Sequence, residues 1–280
     1  MVDNNKSVKS FTQLFLLIVL TALFIFPILL VFMNSFKSRL YVSTAPFSLP
    51  LGTMFVGFEN YVRGVTSSGF GLAFLRSVWI TVMGVLIIVV CTSMSAWYIV
   101  RVKSKFTRAL YYMFTFSMIV PFQMVMYTMT FVVNRISFDN VFGILFVYLG
   151  FGAGLTVFMF TGFVKSIPLE VEEAATIDGC NPVQTYFHVV FPMLKPTAIT
   201  VAILQAMWIW NDYLLPYLVL GSDHKTVPVA IQLAMQGAYG STDYGGFMAM
   251  LVLNIIPIII FYLCSQKYII KGVVAGAVKG

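Results

Sequence analysis

Residues 166–196 read SIPLEVEEAATIDGCNPVQTYFHVVFPMLKP, and they are the most informative stretch of this chain. Pro168 predicts a helix start, and the glutamates that follow suit the positive end of the helix dipole. Gly179 predicts the end of that helix, because glycine readily takes the left-handed conformation found just past helix C-termini. The segment therefore begins with a short helix that ends in a sharp glycine turn.

A second short helix is predicted directly after this turn. Asn181 suits the N-cap, Pro182 the first helical position, and Gln184 the third position of a capping box. We expect Phe191 and Pro192 to end the second helix, because proline has no backbone N–H. The result is two short helices joined by a turn that sets their angle.

The first of these helices has the composition of a docking element. The small side chains of Ala174 and Ala175 would let it enter a cleft of a partner closely, while its glutamates stay available for charged contacts at the rim. Pushing such a helix would move the spans on either side of it. We therefore expect residues 166–196 to act as a lever.

The remainder of the chain is too apolar for a soluble domain. Of its 280 residues, 60% are apolar and 10% are charged, whereas soluble domains carry roughly 25% charged residues. A bilayer-spanning helix needs about 20 apolar residues, and only helices satisfy the backbone of such long runs in lipid. Six stretches qualify, at 11–33, 77–100, 109–133, 141–164, 197–220 and 247–270. The first exceeds the roughly 7–15 apolar residues of a signal peptide, so we expect it to be retained.

The distribution of basic residues orients these spans. With the N-terminus in the cytoplasm, 11 of the 17 lysines and arginines fall in inside segments, and the cluster at 101–108 contributes most. Both termini are then cytoplasmic, and the net charge of +7 reflects orientation rather than nucleic-acid binding. We predict an N-terminal stub, first span and external segment (1–72), a core (73–270) and a cytoplasmic tail (271–280).

Several chemistries lack their residues in this chain. A P-loop needs the dipeptide Gly-Lys, which occurs nowhere in the sequence. The sequence shows no Ser-His-Asp arrangement, His-Glu-x-x-His motif, paired carboxylate site or Cys-x-x-Cys motif. We therefore expect no catalytic residue, no metal site and no cofactor bound by this chain.

The segment resembles the EAA loop of ABC importer permeases of the type I fold. In that family Glu-Ala-Ala is followed by three residues, a glycine, nine residues and Ile-x-Leu-Pro. Here Glu173-Ala174-Ala175 precedes Gly179 at that spacing, and nine residues later stands Val189-Val190-Phe191-Pro192, with both departures apolar. The resemblance extends over essentially the whole chain. It implies an all-α bundle of six transmembrane helices.

Two further motifs resemble the carbohydrate-uptake branch of this family. They are Trp210-Asn211-Asp212-Tyr213 and a tail from Lys271 that is similar to the end of the maltose-type small permease subunit. The resemblance implies that the tail reaches the ATPase subunits through Gly276, Lys279 and Gly280. It also implies that coupling to the ATPase uses Glu172, Glu173, Ala174, Ala175, Asp178, Gly179 and Pro192.

A substrate path is suggested near the outer end of the fifth span. Asp212 is the acidic residue closest to a span, and an ionisable group at membrane depth is a functional candidate. Aromatic faces and amides bind sugars, although an interfacial aromatic belt with a hydrated Asp212 explains the same residues. Buried amides equally serve helix–helix hydrogen bonds. The candidate path comprises Gln205, Trp208, Asn211, Asp212, Tyr213 and Asn254.

The resemblance implies a multi-pass permease of the bacterial plasma (inner) membrane that imports a sugar or oligosaccharide by ATP-driven alternating access. Its expected partners are a second, different permease, two ATPase subunits that use ATP and Mg, an extracytoplasmic binding protein and the lipid bilayer. A polyol or glycerophosphate-like solute is the alternative substrate. An ion-coupled secondary transporter and a membrane-embedded enzyme are the alternative classes.

Overall fold

The structure of the protein is a computed structural model. It describes the backbone of residues 3–236 and 242–277, and the side chains of residues 12–235 and 242–268. Within these ranges the chain is almost entirely helical, and its β-structure is one bridge between Lys37 and Phe55. The all-α class predicted from the sequence is confirmed.

Thirteen α-helices lie in the described ranges, together with a 3-10 turn at Gly52–Met54 and a π-helical turn at Tyr186–Val190. The helices are α1 (Asp3–Asn34), α2 (Arg39–Thr44), α3 (Glu59–Ser68), α4 (Phe70–Arg101), α5 (Lys105–Ser117), α6 (Phe122–Arg135), α7 (Gly143–Val164), α8 (Leu169–Ile177), α9 (Pro182–Thr185), α10 (Phe191–Asn211), α11 (Leu214–Leu220), α12 (Val227–Gln236) and α13 (Tyr244–Ala277).

Five stretches of the described chain form helices that are long and apolar enough to cross a bilayer. They are Thr12–Asn34, Phe70–Arg101, Gly143–Val164, Pro182–Asn211 and Tyr244–Tyr268. These correspond to five of the six predicted spans. The cytoplasmic placement of both termini and the boundaries at 72 and 270 stay predictions.

The third predicted span, 109–133, is not one straight helix. Helices α5 and α6 meet at a bend of 110°. Pro121 occupies the N-cap of α6 in an extended conformation, since its ring and missing N–H prevent a helix from running through it. At 13 residues, α5 is about 20 Å long, short of the roughly 30 Å hydrocarbon core. Only the two helices together can serve as the sixth span.

The fifth predicted span, 197–220, differs at both ends. The helix ends at Asn211, and Asp212 adopts an extended conformation. The Asp212 carboxylate accepts a hydrogen bond from the backbone N–H of Leu215 at 3.3 Å, in the first turn of α11. A short side chain that bonds to the backbone in this way competes with helix continuation, so the span breaks where the sequence suggested a continuous helix.

The prediction that Phe191 and Pro192 end a separate second helix is wrong. The chain runs from α9 through the π-helical turn into α10 without interruption. The Phe191 N–H donates to the Tyr186 carbonyl, five residues back, which widens the helix by one residue. This wider turn accommodates Pro192 at the start of α10, so the predicted short helix is the first part of the fifth span.

The chain divides into two compact units. Unit 1 comprises residues 1–71 and 230–257, and unit 2 comprises residues 72–229 and 258–280. In unit 2, α7 is the most buried of the apolar helices, with just over half of its apolar window enclosed. It packs closely against α5 and α10. Glycine permits this packing at Gly152 and Gly154, where the nearest atom to an added methyl group would lie at 3.0 and 2.6 Å, but not at Gly150, where a methyl group would meet nothing within 4 Å.

Replacing Gly154 with alanine should destabilise unit 2. The new Cβ would lie 2.6 Å from the Ser117 hydroxyl and 2.8 Å from the Phe114 carbonyl oxygen, and overpacking of this kind costs about 1–3 kcal/mol. Gly150→Ala is the matched control on the same helix. Thermal unfolding in detergent measures both variants, and equal unfolding temperatures would exclude a close contact at Gly154.

Unit 1 contains a buried lysine that is held by backbone oxygens. The Lys37 ammonium donates to the carbonyls of Ala45 and Pro46 at 2.8 and 3.0 Å. The Asn60 side-chain amide donates to the carbonyls of Ser35 and Lys37, both at 2.8 Å. Burial lowers the pKa of Lys37. These bonds fold residues 35–46 over α3 and give the segment between α1 and α4 a defined structure.

An ion pair within unit 1 joins α3 to the residue before α13. The Arg63 guanidinium donates to both carboxylate oxygens of Asp243, at 2.6 and 3.2 Å. Partial burial raises the pKa of Asp243, but the hydrogen bonds from Arg63 and from the Gly246 N–H outweigh this and lower the pKa below its usual value. The folded state therefore favours the ionised carboxylate.

Unit 1 should lose stability in acid through this carboxylate. A lowered folded-state pKa gives a stabilisation that is complete above the unfolded value of about 3.9 and disappears as the pH falls through the folded value. Both side chains are partly exposed, so the effect is at most about 1 kcal/mol. Asp243→Asn should reduce the decline of the unfolding temperature as the pH falls below about 5. Asp223→Asn is the control, because Asp223 is exposed and forms no ion pair among the described residues, and it should leave the decline unchanged. A parallel decline in Asp243→Asn would contradict the pairing.

Candidate functional site

The glycine turn after α8 has the geometry that the sequence predicted. Gly179 has φ +88°, in the left-handed region. The Cys180 N–H donates to the Ala175 carbonyl at 3.0 Å and the Gly179 N–H to the Thr176 carbonyl at 3.1 Å. This pair of bonds is the Schellman motif, which satisfies carbonyls left free at a helix C-terminus. The direction of the chain after α8 is thereby set by backbone hydrogen bonds.

The start of the next helix is also as predicted. The Gln184 N–H donates to the Asn181 side chain at 2.9 Å, and the Asn181 N–H donates to the Gln184 side chain at 2.9 Å. Pro182 takes the first helical position. Two reciprocal bonds of this kind satisfy the free amides of a helix start, so only four residues separate α8 from the fifth span.

A buried ion pair ties α8 to the end of α4. The Arg101 guanidinium donates to one Glu172 carboxylate oxygen through Nε at 2.8 Å and Nη2 at 2.7 Å. Trp97 Nε1 donates to the other oxygen at 2.9 Å, and Arg101 Nη2 also donates to the Ile167 carbonyl at 2.9 Å. The side chains of Arg101 and Glu172 are 19% and 8% exposed. Charge-assisted bonds of this kind are about twice as strong as neutral ones.

The expectation that all glutamates of α8 are free at a rim is therefore wrong for Glu172. Ala175 is also buried against the chain itself, while Ala174 is exposed. A helix of nine residues cannot turn every side to a partner when one side must pack on its own protein. The predicted site residues thus divide into an inner set and an outer set.

The outer set forms an exposed face of α8. Glu173, Ala174 and Asp178 are exposed, and Ile177 is 86% exposed. Ile177 was missed by the sequence analysis, although it lies three residues after Ala174 and thus on the same side of the helix. An open groove of about 590 Å³ runs beside this face. Its lining includes Trp97, Leu169, Glu173, Ile177, Cys180 and Pro182.

A second contact joins α4 to the segment after the turn. Tyr186, in the π-helical turn, is fully buried, and its hydroxyl lies 2.6 Å from the Ser93 hydroxyl. The Trp97 and Tyr186 ring centroids are 5.4 Å apart. Helix α4 therefore holds the chain on both sides of Gly179, through Glu172 before it and Tyr186 after it. A force on α8 would reach α4 and α10 together.

Part of the predicted substrate path comes together at the break after α10. The Tyr148 hydroxyl donates to the Asp212 carboxylate at 3.1 Å, and the Tyr148 ring packs edge-on against Trp208 at 5.3 Å. Tyr213 stacks on Tyr217 at 5.3 Å. Tyr148 had not been singled out, because 64 residues separate it from Asp212. Asp212 thus has protein partners rather than only water.

The other predicted path residues, Asn211, Gln205 and Asn254, have no described hydrogen bond to Asp212 or Tyr148. The Asn211 amide donates to the Met207 carbonyl one turn back. Gln205 is buried, and its Oε1 has no hydrogen-bond partner. Asn254 belongs to unit 1 and the rest of the path to unit 2. Of the predicted tail contacts, Gly276 lies within the range of α13, whereas Lys279 and Gly280 fall outside the described residues.

The chain matches a known family and several curated proteins over most of its length. Residues 88–274 match the family described as "Binding-protein-dependent transport system inner membrane component". The "Probable starch degradation products transport system permease protein AmyC" of Thermoanaerobacterium thermosulfurigenes is 39% identical over 97% of this chain and 98% of that protein. The "Multiple sugar-binding transport system permease protein MsmG" of Streptococcus mutans is 34% identical over 98% of this chain and 99% of that protein.

Solved structures share the fold. A chain from a bacterial ABC transporter involved in the import of the acidic polysaccharide alginate superposes with a TM-score of 0.77 at 22% identity, over 94% of this chain and 97% of that chain. A second alginate transporter structure, in complex with a periplasmic protein bound to alginate pentasaccharide, gives a TM-score of 0.63 at 16% identity, over 94% of this chain and 95% of that chain.

Proposed function

Because the chain belongs to the family of binding-protein-dependent transport system inner membrane components, we propose that it is a permease subunit of an ATP-driven importer of a sugar or oligosaccharide. It is a multi-pass protein of the bacterial plasma membrane. Its relatives are transport permeases rather than enzymes. The single observation that carries the mechanism is the attachment of α4 to both sides of the Gly179 turn.

The substrate class is supported by the relatives. Their names refer to starch degradation products, to multiple sugars and to melibiose, raffinose and stachyose. The polyol and glycerophosphate-like alternative has less support than a sugar. An ion-coupled secondary transporter and a membrane-embedded enzyme are also not favoured, because the relatives are permeases of binding-protein-dependent systems.

The proposed complex contains more than this chain. An extracytoplasmic binding protein delivers the sugar to external segments, as the alginate structure with its bound periplasmic protein suggests. A second, different permease completes the pore, and two ATPase subunits bind ATP and Mg. The ATP site is proposed to lie in those subunits, since the sequence of this chain lacks the Gly-Lys dipeptide of a P-loop.

The exposed face of α8 would seat in the ATPase subunit. Ala174 and Ile177 provide a small and an apolar surface, and Glu173 and Asp178 provide charges at its edge. Closure of the ATPase dimer displaces α8. The Arg101–Glu172 pair and the Tyr186 contacts then move α4 and α10 with it, which drives alternating access. Gly276, Lys279 and Gly280 are proposed as further contacts of the tail.

The break after α10 is the proposed place where sugar passes. Asp212 accepts a hydrogen bond from Tyr148 and can accept others from sugar hydroxyls. Trp208 and Tyr213 offer aromatic faces beside it, and Asn211 a side-chain amide. Gln205 has a buried oxygen without a partner among the described residues and is assigned to the same path.

The exposed face of α8 can be tested without disturbing the fold. The tagged chain is expressed with its native operon, purified in mild detergent and analysed by mass spectrometry. We expect a P-loop ATPase and a second multi-span protein with the wild type. Ala174→Arg and Ile177→Arg should lose the ATPase and keep the second permease. Val62→Arg, at an exposed position of unit 1, is the control.

Two outcomes would contradict the proposal. Equal ATPase recovery with all variants would exclude this face as the contact. Recovery of the wild-type chain alone, also after chemical crosslinking in the membrane, would favour a secondary transporter. The substrate class is measured separately by calorimetry on the co-purified binding protein. Tighter binding of glycerol phosphate than of oligosaccharides would overturn the sugar assignment.

A further inference from the structure

A basic pocket in unit 2 lies beside the coupling site and shares Arg101 with it. The pocket is an open cavity of about 470 Å³ between the end of α4, the start of α5 and the end of α7. None of its lining residues is acidic, and four are cationic. The lining comprises Ile99, Val100, Arg101, Lys103, Ser104, Thr107, Arg108, Tyr111, Thr161 and Lys165.

Three of the four cations of this pocket have no acidic partner among the described residues. The fourth, Arg101, is paired with Glu172, which is not among the residues that line the pocket. In the part of the chain that the structure describes, Lys103, Arg108 and Lys165 take part in no ion pair. The Lys165 ammonium lies 5.7 Å from the centre of the Tyr111 ring. Three such cations around one cavity repel one another and favour an anionic ligand.

The pocket lies where the membrane-embedded part of three helices ends. Helix α4 ends at Arg101, α5 begins at Lys105 and α7 ends at Val164. The start of α5 is held in place by a capping box between Ser104 and Thr107. The pocket is therefore at the level of phospholipid headgroups rather than in bulk water.

Exposed apolar side chains continue from the pocket along α5 and α7. Met118, directly after α5, lies seven residues after Tyr111, and Phe158 lies seven residues before Lys165, so each is on the same side of its helix as that pocket residue. Met118 and Phe158 are 43% and 49% exposed and would contact acyl chains in a bilayer. A basic pocket with an apolar strip beside it matches the two halves of a phospholipid.

We propose that this pocket binds the phosphate of an anionic phospholipid. Lys103, Arg108 and Lys165 surround the phosphate, with the Arg108 guanidinium able to donate two parallel hydrogen bonds to its oxygens. The acyl chains follow Met118 and Phe158. A free phosphate ion has the same charge but cannot make the apolar contact. The acyl chains therefore distinguish a phospholipid from a free phosphate ion. The inference requires only residence in the membrane and is independent of the transported solute.

The test compares two triple variants of the intact complex in detergent by native mass spectrometry. The pocket variant carries Lys103→Ala, Arg108→Ala and Lys165→Ala. The control carries Lys105→Ala, Lys195→Ala and Lys267→Ala, which remove the same charge from exposed positions outside the pocket. Each is titrated with phosphatidylglycerol, phosphatidylcholine, glycerophosphoglycerol and inorganic phosphate. Thermal unfolding verifies that both variants fold.

Phosphatidylglycerol should bind the wild type and the control with equal affinity, and the pocket variant on the order of 100-fold more weakly. Each basic residue near an anionic surface contributes about fivefold, and three are removed. Phosphatidylcholine should show little difference among the proteins. Equal affinities of both triple variants would overturn the proposal, as would inorganic phosphate binding as tightly as the lipid. Loss of the ATPase from the pocket variant with unchanged lipid affinity would identify a protein contact instead.

Discussion

Replacing Arg101 with alanine should abolish transport while the chain still inserts in the membrane. The change leaves the Glu172 carboxylate buried with only the Trp97 indole N–H as a donor. Removing one partner of a buried ion pair destabilises its surroundings by about 3–5 kcal/mol. We expect α8 to detach from α4, so that movement of the ATPase subunits no longer displaces α4.

The measurement is the ratio of sugar uptake to ATP hydrolysis in proteoliposomes containing the whole importer. In Arg101→Ala this ratio should fall more than about tenfold, which is the effect of about 1.4 kcal/mol on an equilibrium. Arg101→Lys keeps the charge but loses the two-donor geometry of the guanidinium. Its ratio should lie between those of the wild type and Arg101→Ala. Lys105→Ala, four residues on and exposed, is the control.

A double-mutant cycle with Glu172→Gln tests whether Arg101 and Glu172 act through each other. If they do, Arg101→Ala lowers the ratio of uptake to hydrolysis much less in the Glu172→Gln background than in the wild type. Wild-type coupling in a well-folded Arg101→Ala importer would contradict the role of the pair. Equal losses in both backgrounds would show that each residue acts independently.

Replacing Gly179 with valine should also uncouple hydrolysis from transport without preventing insertion. Gly179 has φ +88°, where a Cβ costs about 1–2 kcal/mol and a β-branched side chain more. A methyl group there would meet no atom within 4 Å. The effect therefore comes from the backbone conformation, which changes the direction of the chain between α8 and α9.

A series at this position separates conformation from size. Uptake should decrease from glycine to asparagine, alanine and valine, because asparagine tolerates the left-handed region better than the others. Gly162→Ala is the matched control, since it lies within α7 and a methyl group there also meets nothing within 4 Å. Normal uptake by a folded Gly179→Val variant, or equal effects at Gly162, would count against the lever.

Local sequence signals predicted the elements around the turn correctly. The Schellman turn at Gly179 and the capping box of Asn181 and Gln184 form as expected. Each depends on hydrogen bonds between residues at most five positions apart, so the information lies within one short segment. Five of the six spans predicted from hydrophobic length form long apolar helices for the same reason, although the fifth begins and ends earlier than predicted.

The sequence-based predictions of helix ends were wrong at prolines, where a helix can either end or continue through a locally widened turn. Pro121 breaks its span into two helices, whereas Pro192 is absorbed by the π-helical turn before it. The same residue type thus had opposite effects. Pro192 follows a π-helical turn in which Tyr186 is held by Ser93 and Trp97 of α4. Such contacts between distant segments leave no periodic pattern in the sequence.

The sequence by itself determined that the chain is a bundle of membrane helices, that a short helix and a glycine turn precede the fifth span, and which family the chain resembles. Only the tertiary structure decided that Glu172 faces inward to Arg101, that Asp212 pairs with Tyr148, and that Lys103, Arg108 and Lys165 share one pocket. The reason is physical. Helix caps and span lengths depend on neighbours in sequence, whereas a buried charge finds its partner only when helices more than sixty residues apart are packed together.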